Sequence, residues 1–178
     1  MPTCQDVVSH ALRLGGVVGI DDIAEAGEGL FAQAELLGMF TGWFEQGMFG
    51  TLTDVTKTAA YTANEFERVN AATGITVTLP LTITNDNARA PYDLAAIMVV
   101  QDGAAAQWIY DRAWVRLDTL GLTSICPLSA RNMAGLAACL ALRITPFDNK
   151  LDPRTNKNAV DFRTSLMLKA RPQTVEFF

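Results

Sequence analysis

The apolar residues at the start of the chain recur at the spacing of an amphipathic helix. They share one face of that helix: Cys4, Val7, Val8, Ala11 and Leu12. Thr3 precedes the run, and Asp6 comes three residues after Thr3, which is the arrangement of a capping box. Because glycine readily closes a helix, Gly15-Gly16 predicts where this helix ends.

A second periodic run follows after a short connection. Its apolar stripe comprises Ile23, Ala26, Leu30, Ala34, Leu37, Thr41 and Phe44. Asp22 stands at the expected N-cap, Glu25 follows three residues later, and the run ends near Gly47. Such a helix is roughly 35–40 Å long. The short connection predicts an antiparallel helical hairpin.

The spacing changes near residue 50, where Thr, Val, Ile and aromatic residues become frequent. Alternation in "GITVTLPLTIT" predicts a half-buried strand, and Pro80 predicts that this strand lies at a sheet edge. "YDLAAIMVV" and "AAAQWIYD" predict two strands joined at Asp102-Gly103, a dipeptide typical of hairpin turns. A turn at "DRAW" leads to a further strand at Val115–Leu117.

Helical spacing returns in the last third of the chain. "ARNMAGLAACLALRI" is apolar nearly all round, which predicts the most buried helix, and Pro146 ends it. The polar segment "FDNKLDPRTNKN" predicts a loop. A fourth helix is expected from Ala159 to Ala170, with Phe162 on its apolar face.

These elements predict an α+β fold, namely a four-helix bundle of two N-terminal and two C-terminal helices with an inserted β-rich module. The bundle would comprise residues 1–50 and 127–172, the module residues 51–126, and a C-terminal tail residues 173–178. The helices are expected to pack together because neither pair can bury its apolar stripe alone.

Composition narrows the class of protein. The chain has 178 residues and a net charge of -5, which argues against a sequence-reading nucleic-acid binder. Cys4, Cys126 and Cys139 are far apart and odd in number, so neither a disulfide framework nor a metal site is expected. The sequence has no signal-peptide pattern and no apolar run of the ~20 residues that cross a bilayer. We therefore expect a soluble protein, made in a reducing compartment, with no membrane partner.

No residue pattern indicates catalysis. The single histidine, His10, is expected at the surface or boundary of the first helix. We therefore expect no enzymatic activity, no metal and no cofactor. Two alternatives stay open: a glycan hydrolase that uses an acidic pair, and a carbohydrate- or peptide-binding module built on Trp108, Tyr110 and Trp114.

Charge is distributed unevenly along the chain. Seven acids and no basic residue lie between residues 14 and 56, namely Asp21, Asp22, Glu25, Glu28, Glu35, Glu45 and Asp54. Residues 143–171 contain three acids and seven bases, namely Arg143, Lys150, Arg154, Lys157, Arg163, Lys169 and Arg171. Either the two helical pairs neutralise each other within one bundle, or acidic and basic faces meet across subunits in a head-to-tail contact that closes into a ring. The apolar chain end either folds back or docks into a partner's groove.

Several stretches together resemble a known family. A short helix ends in Leu14-Gly15, an acidic spacer contains Asp21-Asp22, and a long Ala/Leu helix carries Trp43 near its end. "YTANEFERVNAATGITVTLP" and "WIYDRAWVRLDTLGL" look similar to that family's β insert, and "PLSARNMAGLAACLALRI" to its third helix. In this order, the elements resemble the head-to-tail adaptor (connector) proteins of tailed phages and gene transfer agents, which include the podovirus tail accessory factors.

The resemblance implies a structural virion protein that forms a ring, usually of twelve identical subunits, under the portal protein of the capsid. Such a ring extends the DNA channel, through which DNA passes without sequence recognition, and provides a platform for a stopper or tail protein. The implied location is the neck of the virion, after synthesis in the host cytoplasm. The portal contact falls on the end of the chain, with Phe162, Lys169, Arg171, Val175, Phe177 and Phe178.

The adaptor resemblance also implies functions for the charged residues of the helices. The residues expected to line the channel or to contact the next subunit are Glu25, Glu28, Glu35 and Glu45. An acidic wall would repel the DNA backbone and let DNA slide. The basic residues expected at the opposite subunit contact are Arg154, Lys157 and Arg163.

Overall fold

A computed structural model describes residues 1–19, 25–81, 91, 93–145 and 151–169. Over these residues the chain is α+β, with four helices and a mixed five-stranded sheet, which confirms the predicted fold class at that level. The helices are α1 Cys4–Leu14, α2 Ala26–Glu45, α3 Ser129–Ile144 and α4 Pro153–Lys169. The strands are β1 Thr53–Lys57, β2 Tyr61–Thr62, β3 Glu67–Ala71, β4 Val77–Thr78, β5 Ala96–Gln101, β6 Ala104–Tyr110 and β7 Trp114–Arg116.

The chain divides into two compact units. The helical unit comprises Met1–Gly42 and Thr119–Ser165, and the β unit comprises Trp43–Asp118 with the residues from Leu166 onward. The boundaries fall within α2 and within α4, whereas the sequence analysis places them in the connections between elements. The segment 119–126 belongs with the helices.

Helix α1 begins with the predicted capping box. The backbone N–H of Asp6 donates to Thr3 Oγ1 at 3.2 Å, and the backbone N–H of Thr3 donates to Asp6 Oδ2 at 2.7 Å. The predicted stripe is buried. The chain leaves the helix at the predicted glycine pair, where Gly16 takes the left-handed conformation at φ +65° and Gly15 stays right-handed.

Helix α1 packs along α3. Within the described residues α1 makes no comparable contact with α2. Its main packing partner is therefore α3, and not α2, with which the tight hairpin was predicted. The backbone N–H of Cys4 donates to Ser124 O at 2.8 Å, and that of Cys126 donates to Pro2 O at 3.0 Å. These bonds tie the start of α1 to the segment before α3. The predicted cap at Asp22 lies outside the described residues.

Residues 135–141 of helix α3 are all buried, so the middle of the helix is buried all round, as its apolar sequence predicts. Its first turn is irregular, because Asn132 has extended backbone angles inside the helix. Asn132 Oδ1 accepts a hydrogen bond from the backbone N–H of Gly135 at 2.8 Å, which is the bond of an N-cap. The regular helix therefore begins after Asn132.

Helix α4 begins six residues before its predicted start at Ala159. Asp152 Oδ1 accepts from the backbone N–H of Arg154 at 2.7 Å, and Pro153 occupies the first helical position. The predicted loop was wrong for this stretch, since the polar residues 153–158 form the first turns of the helix. Phe162 and Leu166 lie on the buried side.

The five-stranded sheet has the order β1-β3-β5-β6-β7. The β5–β6 pair is the predicted antiparallel hairpin, and its turn residues Asp102 and Gly103 both have positive φ, at 52° and 78°. The first three strands of the sheet are parallel, which the sequence analysis does not predict. The strand around Pro80 shrinks to β4, which pairs in parallel with β2 in a separate two-stranded sheet.

Side chains from both sheets share one core. Ala63, Val69 and Ile97 are buried at its centre, and Tyr61, Val77 and Leu79 pack around them. As the chain proceeds, its strands pair in parallel: β1 with β3 and β3 with β5 in one sheet, and β2 with β4 in the other.

We predict that Gly135→Ala weakens the helical unit. A Cβ at this position would lie 2.6 Å from Phe162 Cβ and 2.8 Å from Phe162 Cγ, so α3 and α4 must separate. The expected loss is ~1–3 kcal/mol of unfolding free energy, measured in urea. Gly42→Ala is the matched control, since no atom of the described residues lies within 4 Å of a Cβ there, and it should stabilise by ~0.5–1 kcal/mol. Equal effects of the two substitutions would contradict the close approach at Gly135.

Candidate functional site

The acidic residues of α2 differ in exposure. Glu25, just before the helix, and Glu45 at its end are exposed, whereas Glu28 and Glu35 are half-buried. Glu35 Oε2 accepts a hydrogen bond from Arg143 Nε at 3.0 Å, so this acid is neutralised within the chain. Glu28 Oε2 accepts from the backbone N–H of Glu25 at 3.0 Å. The interpretation of internal neutralisation therefore holds for Glu35, while channel lining stays a prediction for the four acids.

The basic residues of α4 lie on its surface. Arg154, Lys157 and Arg163 are all exposed. Residues 153–168 contain these three bases and one acid, Asp161, so this helix carries net positive charge.

The residues predicted to bind a portal fall into two groups. Phe162 is 2% exposed and contacts α3 at Gly135, so its ring serves the core and is not on the surface. The side chain of Lys169 and the residues Arg171, Val175, Phe177 and Phe178 lie outside the described residues.

Helix α2 is apolar on two sides. One side is buried and comprises Ala32, Leu36, Met39, Phe40, Trp43 and Phe44. The other side, which we name the α2 face, is exposed and comprises Gly27, Leu30, Phe31, Ala34 and Gly38. Leu30 is 61% exposed and Phe31 55%. Among the described residues, the α2 face therefore lacks the cover that a run of apolar side chains normally has.

Helix α4 carries a second exposed apolar surface opposite its buried side. This α4 face comprises Val160, Thr164, Met167 and Leu168. Nine large apolar side chains are exposed among the described residues, and five of them lie on the α2 and α4 faces. Sequence reasoning found the charges of both helices and the buried side of α4 at Phe162, but missed the exposed faces. The predicted apolar stripe of α2 runs through Leu30 and Ala34, which are exposed, because a helix that is apolar on two sides gives no direction to its buried side.

The three candidate platform aromatics do not present their rings together. Tyr110 is buried, and its ring meets that of Trp114 edge-on, with centroids 5.5 Å apart. Trp114 Nε1 donates to Pro80 O at 2.9 Å. Trp108 lies apart, beneath the Arg116 guanidinium, and lines a groove of about 300 Å³ with Val77, Leu79 and three alanines.

An acidic pair does occur in one pocket of the β unit. Glu45 and Asp54 line a pocket of about 260 Å³ together with Arg68, which lies 3.8 Å from Asp54. No group of three or more His, Cys, Asp or Glu side chains that could hold a metal ion occurs in the described part of the chain. Among those same residues, no helix has both the length and the apolar character to cross a membrane.

The thiols are buried, and two of them meet. Cys4 and Cys126 hydrogen-bond through their side chains; this bond lowers the pKa of Cys4 below its ordinary value although burial opposes it. Burial raises the pKa of Cys139 to about 11. Cys4 and Cys126 are far apart in the sequence and meet because the backbone bonds around Thr3 and Ile125 bring distant segments together.

A compact polar cluster occupies the turn between β2 and β3. Tyr61 Oη donates to Glu67 at 3.0 Å, and the backbone N–H of Asn64 donates to Glu67 Oε2 at 2.8 Å. Lys57 Nζ lies 4.0 Å from the centroid of the Tyr61 ring. Partial burial raises the pKa of Glu67, but the hydrogen bonds from Asn64 and Tyr61 together with Lys57 outweigh it, so this pKa lies below its ordinary value. The carboxylate holds the turn in place.

No protein-family model matches the chain, and no curated protein matches it in sequence. The family resemblance noted from the sequence stays a prediction, and the exposed helix faces are the features from which a function must be argued.

We predict that the native protein resists thiol reagents. Its three cysteines are buried, and the Cys139 thiol, with a pKa of about 11, is almost wholly protonated at neutral pH. We expect reaction with Ellman's reagent to be ~100-fold slower than for an exposed cysteine, and all three thiols to react after unfolding. A fast phase in the native protein would contradict the burial of these groups.

We predict that Glu67→Gln destabilises the β unit at neutral pH and less so in acid. Because the pKa of Glu67 is lowered by folding, its contribution is present above the ordinary value of 4.5 and is lost as pH falls through the folded-state pKa. Urea melts near pH 7 and near pH 3.5 should therefore give a wild-type advantage that shrinks in acid. Glu45→Gln, at an exposed position, is the control. An advantage that does not depend on pH would contradict the role of the carboxylate.

Proposed function

We propose that this protein is a head-to-tail adaptor, a structural virion protein that forms a ring of identical subunits under a portal protein. One observation carries the proposal: two helices of opposite net charge each leave an apolar face exposed in the single chain. Exposed apolar faces of this kind are typical of proteins that bury them against a partner. Opposite charge on the two faces favours contact between copies of the same chain.

The elements divide the work of an adaptor. Four acids at or beside α2 line the channel or the contact between subunits, where negative charge keeps DNA from adhering; Glu25 and Glu45 are exposed, and Glu28 and Glu35 are half-buried. Arg154, Lys157 and Arg163 supply the opposite contact. The end of the chain, from Lys169 onward, contacts the portal. The finer architecture that belongs to this proposal is a four-helix bundle with an inserted β module.

The remaining properties follow from that role. The ring contains about twelve subunits, as the family resemblance implies, and its distal side receives a stopper or tail protein. DNA passes without sequence recognition, which accords with the net charge of -5. The protein is made in the host cytoplasm, ends in the virion neck, has no enzymatic activity and needs no cofactor.

A second candidate is a carbohydrate- or peptide-binding module, and the groove beside Trp108 favours it. The groove holds about 300 Å³ and combines one aromatic ring with small apolar residues, as ligand sites do. A glycan hydrolase is a third, weaker candidate, which would use Glu45 and Asp54 in the smaller pocket.

We predict that the protein binds the portal ring encoded in the same genome, at one copy per portal subunit. Native mass spectrometry of the mixture measures the stoichiometry. Deleting residues 173–178 should abolish binding, because that segment carries the apolar chain end. Arg13→Glu, a charge reversal on α1, is the control and should leave binding intact.

Two results would change this proposal. Binding that survives the deletion would keep the adaptor role and move the portal contact elsewhere. The absence of any binding would contradict the adaptor role and favour the module, for which added glycans should alter the fluorescence of Trp108.

A further inference from the structure

The α2 face is shaped for close contact with another helix. Gly27, Ala34 and Gly38 carry little or no side chain, and Leu30 and Phe31 stand beside them. Among the described residues, nothing lies within 4 Å of a Cβ placed on Gly27, and only the Arg143 side chain comes within 4 Å of one placed on Gly38. A partner helix can therefore approach the backbone of α2 and pack between the two large side chains.

The α4 face is also apolar and carries the opposite charge. Val160 and Thr164 lie one turn apart, and Leu168 lies one turn further. Lys157 lies one turn before Val160 on the same side of the helix, while Arg163 and Asp161 lie on opposite flanks of the face, which leaves it with net positive charge. On α2, the half-buried Glu28 flanks the exposed face on one side, next to Glu35, which is paired with Arg143.

Charge decides between the possible pairings of these faces. Two α2 faces in contact would bring acids against acids, and two α4 faces would bring bases against bases. Contact between unlike faces joins apolar surface to apolar surface and acids to bases. Unlike faces on the same chain give a head-to-tail contact, which repeats from copy to copy until it closes.

We propose that the α2 face of one copy packs against the α4 face of the next copy. The choice of a second copy as the occupant rests on the proposed function, while the faces and their charges do not. In this contact Phe31 and Leu30 cover Val160 and Thr164, and Lys157 or Arg163 approaches Glu28.

Mixed disulfide trapping tests the contact directly. Ala34→Cys and Thr164→Cys are made as separate variants at exposed positions, and one of the two is isotope-labelled so that mixed and like dimers differ in mass. The native cysteines are buried and do not interfere. Each variant carries one new thiol, so a mixed disulfide can form only between copies. The mixture is oxidised with copper phenanthroline at high protein concentration, and again after assembly on the portal ring.

We expect the mixed dimer to exceed each like dimer about ten-fold, because like pairing places equal charges together. Leu30→Asp should abolish the mixed dimer. Leu142→Asp, at an exposed position of α3 outside both faces, should leave it unchanged.

The two proposals fail separately in this experiment. Portal binding without a mixed dimer, free or assembled, would overturn the face contact and keep the adaptor role. A mixed dimer without portal binding would support the face contact and overturn the adaptor role. A statistical mixture of like and mixed dimers would also overturn the face contact.

Discussion

The close approach of Phe162 to Gly135 is the contact on which the surface of the helical unit depends. A Cβ on Gly135 would lie 2.6 Å from Phe162, so only glycine lets the ring reach α3 at this point. That contact sets the rotation of α4 about its axis. Once Phe162 and Ala159 face inward, Val160 and Thr164 must face outward. The exposed apolar face of α4 is thus a consequence of how its buried side is held.

In helix α2, too, the side that is buried determines which apolar side chains stay exposed. Its sequence is apolar on two sides, and within the described part of the chain packing covers only the side that contains Leu36 and Phe40. The uncovered side keeps Leu30 and Phe31 in water, which costs free energy until a partner covers them. Acidic side chains near this face make contact between two α2 faces unfavourable. The apolar side chains therefore favour association, and the acids restrict which partner can bind.

The β unit uses a different principle. Its parallel strands pair residues that are distant in sequence, as Thr53 with Glu67 and Glu67 with Ile97 show. The connections between such strands include turns that hydrogen bonds must hold. The carboxylate of Glu67 holds the turn before β3 by accepting hydrogen bonds from Tyr61 and Asn64. The groove beside Trp108 lies on the same unit and is the feature that would serve a ligand-binding role.

Local signals were enough to predict the features that depend on neighbouring residues. Thr3 and Asp6 form their capping box, and Asp102-Gly103 forms its turn, because the partners of each bond lie within a few residues. The start of α4 was missed although Asp152 and Pro153 carry a local signal, since the polar composition of the segment outweighed it. Tertiary structure alone decided the parallel strand order, the meeting of Cys4 with Cys126, and which side of α2 stays exposed. Each of these depends on contacts between distant parts of the chain, and the periodicity of a helix that is apolar all round does not say which side will find them.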